Sequence, residues 1–148
     1  MVYEDYVSFE TAKLLKEKGF DGNCYKVWAK ESNSEPKLYT SHSFVEGNIT
    51  VNRESVEDGE RFINDLNPSE YKIEGYLAPT IQMAMKWLRE VHKLYCDIRV
   101  GDGDFVIDII SLKDGEFGCE VVEPESCVYS TYEQACEAAI KYCLENLI

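Results

Sequence analysis

The sequence predicts an α+β fold of two helix–three-strand units, in which antiparallel β-meanders pack against helices and a C-terminal helix follows. Two observations lead to this prediction. Segments with apolar residues every three or four positions alternate with short runs that have apolar residues at every second position. Short turns rich in Gly, Asn, Asp and Pro separate the strand-like runs, which is typical of antiparallel hairpins. We expect one domain, 1–148, with 1–74 and 75–148 as candidate sub-units.

The first helix is predicted within VSFETAKLLKEKGF, and both of its ends are marked. Ser8 can cap the N-terminus, because a serine hydroxyl accepts a hydrogen bond from a free backbone N–H of the first turn. Gly19 can end the helix in the left-handed conformation, and Phe20 can then fold back onto the last turn.

Three strands are predicted after this helix, in CYKVWAK, KLYTSHSFV and ITVN, with a turn at Gly47-Asn48 before the third. Residues 53 to 74 are polar and acidic. One or two helical turns fit there, limited by Gly59 and by Asn67-Pro68.

A central helix is predicted within YLAPTIQMAMKWLREVHKLYCDIRV, with Pro79 at its first position. On a helical wheel its apolar residues cover an arc of roughly 200°, about twice what a helix lying on a sheet requires. The additional flank carries Met83, Trp87 and Leu94. Either the rest of the chain covers this flank, or it is a surface for a dimer or another partner, with Trp87 as the anchor.

The polar side of the same helix carries a basic stripe of Lys86, Arg89 and Lys93. One interpretation is a solvated face that offsets nearby carboxylates. The alternative is a site for a phosphate or an acidic ligand.

The GDGD turn sets the register of the next hairpin. A type I′ turn at Asp102-Gly103 pairs Val100 with Phe105 and continues so that the apolar residues of both strands share one face.

In that register Asp97 lies across from Asp108 on the other face, with Arg99 as the diagonal neighbour. Two facing carboxylates can hold a metal or act as an acid/base pair. The alternative is a wet outer face on which Arg99 sits between the acids.

A further strand is predicted in FGCEVV and the last helix in STYEQACEAAIKYCLENLI. Two registers are open for its capping box, Ser130 with Glu133 or Thr131 with Gln134. The small residues on one face of this helix predict close packing on the second group of strands. The two halves align loosely around Cys24 and Cys96, which suggests a duplication or a chance similarity.

The composition excludes several classes of function. A net charge of −13 argues against a protein that grips nucleic acid through phosphate contacts. The chain has no recognisable signal peptide and no apolar run long enough to span a membrane, so we expect a cytoplasmic protein with reduced cysteines. It contains no C-x-x-C pair, no phosphate-binding glycine loop and no recognisable catalytic triad, so neither a cofactor nor an enzyme is predicted.

Three passages carry a family resemblance: AKLLKEKGF, APTIQMAMKWLREVHKLYCDIRV and STYEQACEAAIKYCLENLI. They resemble a family of small, mostly uncharacterised acidic proteins from phages, prophages and mobile elements of anaerobic gut bacteria. The resemblance covers about half of the chain and brings no catalytic residues with it. It implies a genomic setting in which such proteins often act by binding host machinery.

The leading hypothesis is therefore a non-enzymatic cytosolic binding protein, encoded by a phage or mobile element. It would act in counter-defence or regulation by contact with a host protein or with its own copy, as a homodimer. A polyanion mimic is a variant of this hypothesis.

Two alternatives remain open. The first is a small-ligand protein that binds a nucleotide-like molecule, with Lys86 or Arg89 at the mouth of the pocket. The pocket would be lined by Trp28, Tyr39, Trp87 and Tyr95. The second is a metal-dependent hydrolase that uses Asp97 and Asp108.

Overall fold

The computed structural model describes residues 1–31, 34–45, 48–51, 73–113, 121–122 and 128–148. Within these ranges the helices are α1 (Phe9–Glu17), α2 (Ile81–His92) and α3 (Tyr132–Asn146). The strands are β1 (Lys26–Glu31), β2 (Lys37–Val45), β3 (Asn48–Val51), β4 (Ile73–Ala78), β5 (Leu94–Val100), β6 (Phe105–Ser111), β7 (Val121–Val122) and β8 (Val128–Tyr129). The predicted α+β class with a C-terminal helix is confirmed. The helical turns considered for 53–74 fall almost entirely outside the described residues, as does most of FGCEVV.

The strands form two antiparallel sheets. The first has the order β3-β2-β1-β4, and in the second β5 pairs with β6 while β7 and β8 pair with different parts of β6. The sequence did not predict β4, because Gly75 interrupts its apolar pattern. Strand β4 pairs with β1 along the whole length of β1, and these backbone hydrogen bonds stabilise it. Local strand propensity alone does not indicate such a pairing. Since β4 crosses position 74, the first sheet extends beyond the residues expected for it.

Helix α1 is capped at both ends as predicted. The Ser8 hydroxyl accepts a hydrogen bond from the Thr11 amide at 3.2 Å. Gly19 has a φ of 85°, and the Phe20 amide donates to the Leu15 carbonyl at 2.9 Å. This is a Schellman motif, and it buries the Phe20 ring against the core.

Helix α2 begins two residues later than predicted. Thr80 is its N-cap, since the Thr80 hydroxyl accepts from the Met83 amide at 3.2 Å, and Pro79 lies before the cap. A side chain that accepts a hydrogen bond from a free backbone N–H stabilises a helix start more than a proline does. Proline fits the first helical position but adds no hydrogen bond there. Lys93 ends α2 in the left-handed conformation, with a φ of 58°, and β5 starts at the next residue.

The β5–β6 register is the predicted one, from Val100 opposite Phe105 to Asp97 opposite Asp108. The turn type was predicted wrongly. Gly103 has a positive φ of 90° but Asp102 does not, whereas a type I′ turn requires positive φ at both. The register holds without that turn because a shift of one residue would move every apolar side chain to the other face.

Helix α3 joins the two halves, since it packs on β5 and β6 and also against α1 and α2. Thr131 caps it by accepting from the Gln134 amide, so the N-cap is that of the second predicted register, while the Gln134 side chain accepts from the Ser130 hydroxyl instead of completing the box. Its inner face consists mainly of small side chains, which allow close approach to the sheet: Ala135, Cys136, Ala139, Ile140, Cys143 and Leu144. Over the described ranges, none of the helices has the length and apolar character needed to cross a membrane.

Candidate functional site

The additional apolar flank of α2 is covered by the chain itself. Trp87 is 8% exposed, and its ring meets the edge of Phe20 at a centroid distance of 5.5 Å. Leu94 is 2% exposed, and Met83 is half-buried against the same core. Phe20 follows α1, so the first half of the chain accounts for the width of this flank. The interpretation of Trp87 and Leu94 as a partner surface therefore does not carry over to the folded chain.

The basic stripe is engaged mainly on its own helix. Lys86 Nζ lies 3.7 Å from a carboxylate oxygen of Glu90, and Lys93 Nζ donates to the Glu90 carbonyl at 2.9 Å. Arg89 is half-buried, and its positive charge favours a lower pKa of the Cys96 thiol on β5. These contacts agree better with a solvated face than with a phosphate site.

Arg99 lies between the two facing carboxylates. Its guanidinium contacts Asp108 through Nη2, and its Nε is 3.9 Å from an Asp97 oxygen. Asp108 is only 7% exposed, so the arginine neutralises a buried charge. The Arg99 guanidinium therefore occupies the position between the two carboxylates that a catalytic metal would need. Over the described residues, no group of three or more His, Cys, Asp or Glu side chains is arranged to hold a metal ion.

The aromatic residues considered for a nucleotide-like ligand do not meet. Tyr39 pairs across from Val27, so it lies on the opposite face of the first sheet from Trp28. Trp28 donates from Nε1 to the Val7 carbonyl at 2.7 Å. Tyr95 lies on the outer face of the second sheet, opposite the side of Cys96, while Trp87 is in the core. That pocket is not formed.

A different cavity lies where the N-terminal segment meets the starts of α2 and α3. We call it the acidic pocket; its volume is about 170 Å³, and it is lined by Tyr3, Glu4, Asp5, Thr80, Ile81, Gln82, Tyr132 and Glu133. Antiparallel hydrogen bonds hold the N-terminal segment in place. The Ile81 amide donates to the Asp5 carbonyl at 2.9 Å, and the Val7 amide donates to the Pro79 carbonyl at 3.1 Å.

The acidic pocket has a negative electrostatic character. Three of its lining residues, Glu4, Asp5 and Glu133, are acidic, and none is Lys, Arg or His. The N-termini of α2 and α3 add about +0.5 charge each, which offsets only about a third of the negative charge. Threonine hydroxyls already cap both helix starts, at Thr80 and Thr131. The pocket therefore favours a cation over an anion.

Two tyrosines form the walls of the acidic pocket. Tyr3 is 76% exposed and Tyr132 is 38% exposed. The Tyr132 ring packs edge-on against Phe105 at 6.1 Å, which fixes its position at the start of α3. Burial raises the pKa of Tyr132, and the nearby Gln82 side chain opposes that rise.

Sequence reasoning missed the acidic pocket because its lining comes from three separate segments, 3–5, 80–82 and 132–133. None of these segments contains a sequence motif. Nothing in the sequence distinguishes Glu4, Asp5 and Glu133 from the other acidic residues of this acidic chain. The available signal was the pair of threonine N-caps, each followed within two residues by a polar side chain. Sequence alone does not bring those helix starts together.

Comparisons of the chain with protein-family models, with curated proteins and with solved structures found no match.

Proposed function

We propose that this protein is a non-enzymatic binding protein that acts by protein–protein contact, and that its acidic pocket receives a lysine or arginine side chain of the partner. The observation that carries this proposal is that three acidic residues and two tyrosines line one small cavity, and that none of its lining residues is cationic. Carboxylates attract the charge of such a side chain, and tyrosine rings attract it further through their faces.

The size of the cavity favours a side chain over a free metabolite. Sites for drug-sized ligands usually enclose about 300–1,000 Å³. The acidic pocket has about 170 Å³. A volume of this size suits the end of one long side chain presented by a larger surface.

Charge favours a partner other than a second copy. Each chain carries −13, so two copies repel at long range, whereas a basic protein surface is attracted. In the phage or mobile-element setting that the resemblance implies, the partner is a cytoplasmic host protein with an exposed basic segment. A homodimer is the alternative, and the molar mass in solution distinguishes it.

The test is a titration of ¹⁵N-labelled protein followed by two-dimensional NMR. The probe is a blocked Gly/Ser peptide with one central arginine, and the reference is the same peptide with glutamine. We expect the arginine peptide to shift the amide signals of Tyr3, Gln82 and Glu133, with millimolar affinity that weakens as salt rises. The glutamine peptide should leave these signals unchanged.

Two variants with equal charge separate the acidic pocket from general attraction to an acidic protein. The pocket variant combines Glu4→Gln, Asp5→Asn and Glu133→Gln. The control variant removes three exposed acids near α1: Glu10→Gln, Glu17→Gln and Asp21→Asn. The pocket variant should lose most of the binding and the control variant little. Equal losses, or shifts that map to another face, would overturn the proposal.

A further inference from the structure

Two buried cysteines from different elements lie in contact. Cys96 is on β5 and Cys143 is on α3, and their sulfur atoms are 3.9 Å apart. Cys96 is 5% exposed and Cys143 is fully buried. A third buried cysteine, Cys136, lies two helical turns before Cys143 on the same face of α3.

The three thiols differ in how readily they lose a proton. The hydrogen bond with the Cys143 thiol lowers the pKa of Cys96, burial opposes this change, and the positive charge of Arg89 adds to the lowering. The same hydrogen bond raises the pKa of Cys143. Burial raises the pKa of Cys136 to about 11, so this thiol keeps its proton. Of the three, Cys96 has the most thiolate character, and thiolates are the form that attacks oxidants.

We propose that Cys96 and Cys143 are a redox-active dithiol that a hydroperoxide converts into a disulfide, which covalently joins α3 to β5. The Cys96 thiolate attacks the terminal peroxide oxygen, the O–O bond breaks, and the leaving alkoxide takes a proton to become an alcohol. The Cys96 sulfenic acid is then attacked by the Cys143 sulfur. The S–O bond breaks, and hydroxide leaves as water with the Cys143 proton. Two thiols and one hydroperoxide give one disulfide, one alcohol and one water.

The geometry requires little movement. The sulfur separation must fall from 3.9 Å to the bonded distance of about 2.05 Å, a shift of about 1 Å for each sulfur. The residues joined are 47 positions apart. The disulfide would therefore fix the C-terminal helix to the sheet on which it already packs, without a new arrangement of the fold.

Burial sets the rate of this reaction. Neither sulfur is open to solvent, so the oxidant reaches Cys96 when the end of α3 opens locally. Cys143 lies in the last turn of a helix that ends at Asn146, where opening is easiest. Oxidation should be slow in the native protein, and the disulfide formed should resist reduction for the same reason.

Trypsin cleavage makes the pair easy to identify. The chain is incubated with hydrogen peroxide, free thiols are blocked with N-ethylmaleimide, and the peptides are analysed by mass spectrometry. Cys96 is the one cysteine of peptide 94–99, and Cys143 is the one cysteine of peptide 142–148. Cys136 lies in peptide 114–141 with Cys119 and Cys127. We expect peptides 94–99 and 142–148 to accumulate as a linked species that dithiothreitol separates.

Single variants complete the test. Cys136→Ala should keep the link between 94–99 and 142–148, whereas Cys143→Ala should abolish it and leave Cys96 oxidised without a protein partner. Circular dichroism checks that each variant is folded. Three results would overturn the proposal: no link in wild type while other cysteines oxidise, a link formed in urea but not in the native protein, or a link from 94–99 to 114–141.

Discussion

The two ends of α2 differ in what they offer to other molecules. In its C-terminal half, Trp87 belongs to a flank that is strongly apolar in sequence, yet Phe20 closes it from the first half of the chain. At its N-terminal end, Thr80 and Gln82 are unremarkable in sequence, yet they line an open acidic cavity with Tyr132 of α3.

The difference teaches how a wide apolar helix face should be interpreted in a small protein. A chain of 148 residues has few elements with which to build a core, so a helix such as α2, which packs on β5, on α3 and against Phe20, buries more than one face. Apolar width is therefore evidence about position in the fold before it is evidence about partners. The following predictions test each end of α2 and the Arg99–Asp108 ion pair of the second sheet, starting with the largest expected effect.

Trp87→Ala should destabilise the fold strongly. Removing a buried indole loses its transfer free energy and leaves a cavity beside Phe20, so we expect the free energy of unfolding to fall by about 3–5 kcal/mol. Urea unfolding followed by circular dichroism measures the change. Light scattering should give the same molar mass for wild type and variant.

Val91→Ala is the matched control, because Val91 is on the same helix but 58% exposed. Its effect should stay within about 0.5 kcal/mol. If Trp87→Ala instead left stability unchanged and converted a dimer into a monomer, Trp87 would be a contact with the second copy. The flank around Trp87 would then not be closed by Phe20.

Arg99→Met should have the next largest effect, because it leaves the Asp108 carboxylate buried without its counter-ion. Breaking a fully buried pair costs about 3–5 kcal/mol, and since the Arg99 side chain is 58% exposed, we expect about 2–3 kcal/mol. Adding Asp108→Asn should restore part of the loss. Urea unfolding of both single variants and the double variant measures the coupling.

Lys86→Met gives the comparison with an exposed pair. The side chains of Lys86 and Glu90 are 61% and 66% exposed, so the change should cost less than about 0.5 kcal/mol. Equal losses for Arg99→Met and Lys86→Met would show that Asp108 is solvated. The carboxylate pair would then be open again as a candidate metal site.

Thr80→Ala should cost about 1 kcal/mol, because the Met83 amide at the start of α2 loses its acceptor. Thr80→Ser keeps the hydroxyl and should recover most of the loss. Thermal unfolding measures both variants, and an unchanged stability of Thr80→Ala would mean that the Thr80 hydroxyl does not cap α2.

The features that the sequence predicted are those governed by neighbours along the chain. The caps of α1 need only Ser8, Gly19 and Phe20, all close in sequence, and the β5–β6 register follows from alternation within one hairpin. Strand β4 escaped prediction because its pairing with β1 joins residues far apart in sequence. The acidic pocket escaped for the same reason, since Asp5, Ile81 and Glu133 become neighbours only through tertiary packing.

The smallest effect concerns pH and lies at the closed end of α2. The His92 ring packs against Trp87 at 4.5 Å, and its Nε2 is buried without a hydrogen-bond partner among the described residues. Burial lowers the pKa of His92 below its ordinary value of 6.5, and the charge of Lys113 lowers it further. In the interval between the lowered pKa and 6.5 the unfolded chain binds more protons than the folded one, so stability falls as the pH falls through it.

His92→Phe keeps a ring against Trp87 but cannot take up a proton, so its melting temperature should fall less than that of wild type between about pH 7.5 and pH 5. The carboxylates are common to both proteins, so the difference between the two slopes isolates His92. Lys113→Met should lessen the fall in the wild-type background, because it removes one of the two causes of the lowered pKa. Identical slopes of melting temperature against pH for all three proteins would mean that His92 is solvated. Burial at the C-terminal half of α2 would then include Trp87 but not His92.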